Sequence, residues 1–329
     1  MHIFTTISLK KIIITGMILT CLVLILSLLS GSAISFDQLF FGHLSESSQL
    51  ILWKIRLPRF LAAYFVGASL AISGLILQSA LNNALASPSV IGINSGAGFF
   101  TLVAAFFFPY FMEGRMLMSF LGALVSAMIV YGISSKASLS KTTLILAGLA
   151  VNSFMSGLVN AMITFFPETV GDKVAFNLGG FSTVILSQLD FAIPLIIVTT
   201  MIVFRLSKGL DILLLGDEMA QSLGVNVRRL RFLLIFFTAL LSGLSVSICG
   251  LISFVGLIVP HIVRRLIKGD SRMHIAACGL YGGCFLVLCD LLAKSLFAPY
   301  ELPVGLLMSL IGAPFFIYLL IHKKRRLSL

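Results

Sequence analysis

Arg205-Leu-Ser-Lys-Gly-Leu-Asp-Ile-Leu-Leu-Leu-Gly216-Asp-Glu-Met-Ala-Gln-Ser-Leu-Gly224-Val-Asn-Val-Arg-Arg-Leu-Arg231 is the longest charge-bearing interval between two apolar spans of this chain. It collects Arg205, Lys208, Asp211, Asp217, Glu218, Arg228, Arg229 and Arg231, although only 11% of the residues are charged. Asp217 and Glu218 stand where acids favour a helix start, because the first-turn N–H groups carry partial positive charge. Met219, Ala220 and Leu223 then share one side of two turns, and Gly224 is a natural helix stop. Asn226 can cap a second helix that runs through Arg228 and Arg231 into the next span. The interval reads as two short helices with a sharp glycine corner, a knob built outside the bilayer. A plain solvated loop is the alternative for this stretch taken alone.

What surrounds the knob is apolar. Hydrophobic residues make up 59% of 329 positions, with 28 Phe and a mean hydropathy of +1.10, more than a soluble core needs, so the chain is a polytopic membrane protein. At about 20 residues per helical crossing, apolar runs near 12–34, 58–81, 89–109, 115–134, 142–166, 190–206, 230–249, 252–268, 273–297 and 303–322 predict an all-α chain of about ten transmembrane helices. Residues 1–329 then form one transmembrane domain, with short cytoplasmic helices in segment 205–231 between spans six and seven. The eighth span is the weakest, being short and containing Pro260. The N-terminus resembles a secretory signal ending in Ser30-Gly-Ser-Ala33, but its apolar run from Ile12 to Leu29 exceeds the usual ~7–15 residues of a signal core and is kept as a span.

Even parity places both termini on one side, together with 17 of the 23 Lys and Arg. The other six are Lys54, Arg56, Arg59, Arg115, Lys173 and Lys294. The positive-inside pattern therefore makes the termini and the knob cytoplasmic, in a cell membrane. It also accounts for the net charge of +11 without a nucleic-acid partner, since the basic residues fall in short clusters beside spans.

Polar and small residues are patterned inside the apolar runs. Ala63, Gly67, Ala71, Gly74 and Gln78 form one close-packing stripe on span two. Residues 82–96 follow, rich in Asn, Ser and Gly yet uncharged, as expected of a loop folded back against protein. Gly148, Asn152, Ser156 and Asn160 recur every four residues on span five, a slowly rotating polar stripe that should face protein or water. It would either bond neighbouring helices or line a solute pathway. Segment 168–188 is expected to hold a short external helix. Ser69–Ile76 echoes Ser245–Ile252, which would suit an inverted repeat.

Four of these stretches resemble one family. The knob, the run from Arg56-Leu-Pro-Arg59 to Gly96, Gly250–Arg264 with Gly256, Pro260 and His261, and Glu301-Leu-Pro303-Val-Gly305 to Gly312-Ala-Pro314 are similar to the FecCD permeases of ABC importers for iron-siderophores, haem and cobalamin. Asn83-Ala84 replaces the Asn-Pro usual there, and 168–188 lacks the common Trp and Ser-Gly pair. The resemblance implies that the knob, with Gly216, Asp217, Glu218, Ala220, Leu223 and Gly224, seats in a separate ATPase subunit. It implies that Arg56, Arg59 and Lys294 face acidic residues of an extracytoplasmic binding protein, lipid-headgroup anchoring being the plain alternative. It also implies a second permease subunit, identical or homologous, and makes Gly256, Pro260, His261 and Arg264 a structural motif; Asn152, Ser156 and Asn160 of the polar stripe are the candidates for the pathway.

The residues offer little chemistry of their own. The sequence has no Gly-rich phosphate loop, so ATP would be used by a partner and no cofactor is expected in this chain. His2, His43, His261, His274 and His322 are scattered without metal-ligand spacing, and Cys21, Cys249, Cys278, Cys284 and Cys289 read as packing residues. Asp290 is the one acid deep in a span, and Lys294, four residues on, can pair with it. This scarcity argues against the alternative of an ion-gradient-driven secondary transporter, and no constellation suggests an enzyme.

Overall fold

The computed structural model describes residues 9–30, 45–137, 141–297 and 300–324. The signal-like residues 31–33, His2, His43 and the basic pair 325–326 lie outside them. The described residues form thirteen α-helices with two short 3-10 turns and no strand: α1 (Leu9–Leu29), α2 (Glu46–Ala80), α3 (Ile93–Phe107), α4 (Met112–Ala137), α5 (Lys141–Phe165), α6 (Val170–Leu178), α7 (Leu186–Arg205), α8 (Ser207–Leu214), α9 (Asp217–Ser222), α10 (Val227–Cys249), α11 (Val255–Leu266), α12 (Ser271–Ser295) and α13 (Val304–Lys324).

Seven helices are long and apolar enough to cross a membrane, namely α1, α2, α4, α5, α7, α10 and α12, rather than the ten of the hydropathy reading. The difference has a physical reason. Helices α3 and α11 hold 15 and 12 residues, about 22 and 18 Å at 1.5 Å per residue, because each begins only after a stretch of irregular backbone packed in part against the bundle. Before α3, the uncharged loop folds back with Pro88 and Ile91 buried. Before α11, the Leu251 N–H donates to the Phe176 carbonyl (2.8 Å), the Gly180 N–H to Cys249 (2.8 Å) and the Gly305 N–H to Gly179 (3.1 Å). Irregular backbone persists at such depth only when protein satisfies its polar groups. Helix α13 is apolar over Val304–Leu319.

Helix α2 is the axis of the bundle. Its apolar window is 83% buried, against 22% for α1, and one π-turn over Leu52–Arg56 is its only irregularity. The small-residue stripe divides between two partners. Gly67 and Ala71 meet Gly282 of α12, while Gly74 lies so close to Gly256 of α11 that an added Cβ would overlap the Gly256 carbonyl. The Gln78 side chain donates to that same carbonyl at 3.0 Å. Close approach of backbones is how helices associate where lipid removes the hydrophobic driving force. A second core joins α3, α4, α5 and α10 through Ile93, Ala97, Ala123, Ala127, Val151 and Ala239.

The two echoing octapeptides lie on packed helices, with Ser69 donating to the Leu241 carbonyl at 2.8 Å. They do not share a conformation. Ser69–Ile76 is helical throughout, whereas Gly250, at φ +70°, ends α10.

Candidate functional site

Polar side chains collect at the two ends of the Leu57–Ala80 stretch of α2. At its C-terminal end, α8 and α9 form the knob. Helix α8 is an additional helix ahead of the two expected, seated by buried Leu210 and Leu213. Gly216, at φ +103°, turns the chain into α9, whose first turn carries Asp217 and Glu218. Ala220 is fully buried beneath α9, while Met219 and Leu223 are exposed at 54% and 57%, so the knob presents apolar surface outward. Gly224 takes φ +78°, a conformation that disfavours side chains, and the Val225 N–H closes the turn on the Ala220 carbonyl at 3.0 Å. Asn226 then caps α10, its side-chain oxygen accepting from the Arg229 N–H at 3.0 Å.

Polar contacts bind this knob and its surroundings to the bundle. Arg231, buried, donates through one terminal nitrogen to both Asp217 carboxylate oxygens (2.8 and 3.0 Å) and through Nε to the Ala80 carbonyl at the end of α2 (3.3 Å). Arg264 of α11 donates to the Ser79 hydroxyl at 2.8 Å. Asp211 accepts from both the backbone N–H and the hydroxyl of Ser271 at the start of α12 (3.0 and 2.6 Å). Within the α11 motif Pro260 is buried, and the His261 ring stands edge-on to Phe315 at 6.1 Å.

At the opposite end, Arg59 grips Asp290 bidentately, with Nε and a terminal nitrogen each 2.9 Å from a carboxylate oxygen. Its other terminal nitrogen donates to Glu301 at 2.7 Å. Lys294 reaches Asp290 only at 3.5 Å, so the expected Asp290–Lys294 pair is the secondary one. Arg56 donates to the Leu28 carbonyl. Both arginines are 7% exposed, whereas the Glu301 side chain is half exposed. The same end holds a cavity of about 410 Å³ lined by Arg59, Arg115, Asp172, Gln188 and Glu301 among others, with Arg115 and Asp172 paired at 3.0 Å. The short helix expected in segment 168–188 is α6, where burial lowers the Lys173 ammonium below its ordinary range.

The polar stripe on α5 is split. Asn152 accepts from the Ser95 hydroxyl (2.6 Å) and donates to the Ser89 carbonyl (3.2 Å), binding α5 to the folded-back loop and to α3. Ser156 and Asn160 are exposed along the outside of this chain. Among the described residues no three metal-ligating side chains come together.

Comparison with known proteins agrees with this architecture. Residues 17–322 match the FecCD transport family. The chain is 37% identical to the Fe(3+)-citrate import system permease protein YfmD of Bacillus subtilis, covering 83% of this chain and 82% of that one. It is 35% identical to the hemin transport system permease protein HmuU of Yersinia pestis, over 93% and 96% of the respective chains. A solved structure described as an inward-facing conformation of a metal-chelate type ABC transporter superposes with a TM-score of 0.84 at 32% identity, over 95% of this chain and 99% of that one. PsaBC from Streptococcus pneumoniae shares the fold at a TM-score of 0.57 and 18% identity, over 79% and 89%. An ABC permease of this kind carries no cofactor, is not itself an enzyme and leaves ATP hydrolysis to a separate subunit, which sets the secondary-transporter reading aside. The match over nearly the whole chain, together with the helical architecture, establishes that this multi-pass membrane protein belongs to the FecCD transport family of ABC importer permeases for iron chelates, haem or cobalamin.

Proposed function

We propose that the chain imports a ferric siderophore, with haem and cobalamin as the less favoured cargoes, and that it works as a pair of permease subunits with two ATPase subunits and an extracytoplasmic binding protein. In this reading the chain crosses the membrane ten times, α3, α11 and α13 completing the count, and both termini are cytoplasmic. The observation that carries it is the knob: α9 offers Met219 and Leu223 outward from a rigidly capped turn, at the end of the bundle that the basic residues mark as cytoplasmic. That is the surface an ATPase groove would cover. Ser156 and Asn160, exposed on α5, would line a pathway between two such subunits, with Asn152 at its inner margin.

Docking of the binding protein is placed at the opposite end, around Arg56, Arg59 and Lys294. Because Glu301 already occupies one edge of Arg59, a partner carboxylate would take its place there. Such complementary charge steers encounter and fixes orientation more than it raises affinity. Uptake of labelled ferric siderophores, haem and cobalamin, compared between a strain lacking the gene and its parent, tests the assignment. Selective loss of ferric siderophore uptake is expected; loss confined to haem or cobalamin would overturn the cargo, and import that survives ATP depletion would overturn the mechanism.

A further inference from the structure

The knob is joined to the α5 stripe by polar contacts at each end of the loop over residues 81–92, and Arg231 is the first link. Asp217, on the exposed first turn of α9, is held by the Arg231 guanidinium at 2.8 and 3.0 Å. Through its Nε the same guanidinium reaches the Ala80 carbonyl, one of the C-terminal carbonyls that α2 itself leaves without a helical partner. A cation is favoured there because the carbonyl end of a helix carries partial negative charge. Beyond Ala80 the chain turns immediately, with Leu81 buried, Asn82 at φ +43° and the Asn83 N–H returning to the Gln78 carbonyl at 2.9 Å. The loop ends on α5: the Ser89 carbonyl accepts from Asn152, and the Val90 carbonyl lies where any Cβ on Gly148 would overlap it.

We infer that Arg231 is a positioning residue for energy coupling, whose forked guanidinium holds the knob and the end of α2 as one piece so that movement of α9 is passed through residues 81–92 to Asn152. The fork is what the geometry requires, since one planar group serves a carboxylate and a carbonyl at once. A lysine ammonium presents a single point charge on a flexible stem and cannot hold both in the same fixed arrangement. The inference rests on the reading that the knob meets the ATPase and that α5 lines the pathway.

The test uses the complete transporter, permease with its ATPase subunit and binding protein, reconstituted in vesicles. Ferric siderophore uptake and ATP hydrolysis are measured together. Arg231→Lys should assemble and hydrolyse ATP, yet lose roughly fivefold to tenfold in substrate imported per ATP, the scale expected when a charge-assisted contact is removed from a coupling network. Asp217→Asn, a change at a half-exposed side chain, should lower the same ratio, and the double variant should be no worse than Arg231→Lys alone. An unchanged ratio in Arg231→Lys, or losses that simply add in the double variant, would overturn the inference. Should Arg231→Lys fail to assemble, an unchanged ratio in Asp217→Asn overturns it equally. Gly224→Pro separates the two levels: if it also leaves the ratio intact, the coupling role of the knob is what fails.

Discussion

The two ends of α2 carry the same chemistry in opposite settings. At the end proposed to face outward, Arg59, Asp290, Lys294 and Glu301 are drawn together inside the bundle, and the central carboxylate is only 2% exposed. At the other end, Arg231 is equally buried but its partner Asp217 is half exposed and stands on a protruding knob. At the first end these charges hold α2, α12 and the turn before α13 together, and at the second they tie a handle to the axis of the bundle. The contrast teaches that an arginine's burial says less about its role than what its partner is attached to.

The sharpest way to break the comparison is to remove one acid from each end. Asp290→Ala leaves Arg59 and Lys294 buried beside a vacant position and should lower unfolding free energy in detergent by about 3 kcal/mol. Asp217→Ala, at a half-exposed pair, should cost about 1 kcal/mol or less. Equal losses would mean that the two ends are alike. Next in size is Gly224→Pro. Proline fixes φ near −65° where the chain needs +78°, so the knob loses its corner while the bundle inserts normally, and uptake per ATP should fall by about tenfold or more, a coupling change of the usual allosteric size. Uptake at the parental level would contradict the coupling role. The smallest effect is expected from Glu301→Gln, which removes the competing charge at one edge of Arg59. Association with the binding protein at low salt should quicken by roughly twofold to fivefold, and an unchanged on-rate would show that Arg59 does not meet the partner.

Much of this was legible in the residues. The helix start at Asp217, the stop at Gly224 and the cap at Asn226 all depend on neighbours within a few positions, and all appear. The stripe on α2 was equally readable, because small residues at helical spacing have few other uses in a membrane. What local pattern could not supply was partnership across the chain. Arg59 and Asp290 are 231 residues apart, and Arg231 and Ala80 are 151 apart. Nothing near Arg59 in the sequence points to the two acids that enclose it. Hydropathy does not reveal that α11 is a helix of only 12 residues, because it registers apolar residues whether or not the backbone is helical. Helix α8 was missed for the opposite reason: its buried Leu210 and Leu213 stood among charges that suggested solvent.

The account depends most on the knob being the point where an ATPase subunit takes hold. Leu223→Cys, at a position 57% exposed on its outward surface, provides the direct measurement when the assembled transporter is treated with a short thiol cross-linker. A cross-link between this cysteine and the ATPase subunit, absent from the parent protein, is the predicted result. No cross-link, with the same cysteine labelled by a membrane-impermeant reagent added outside intact cells, would contradict it.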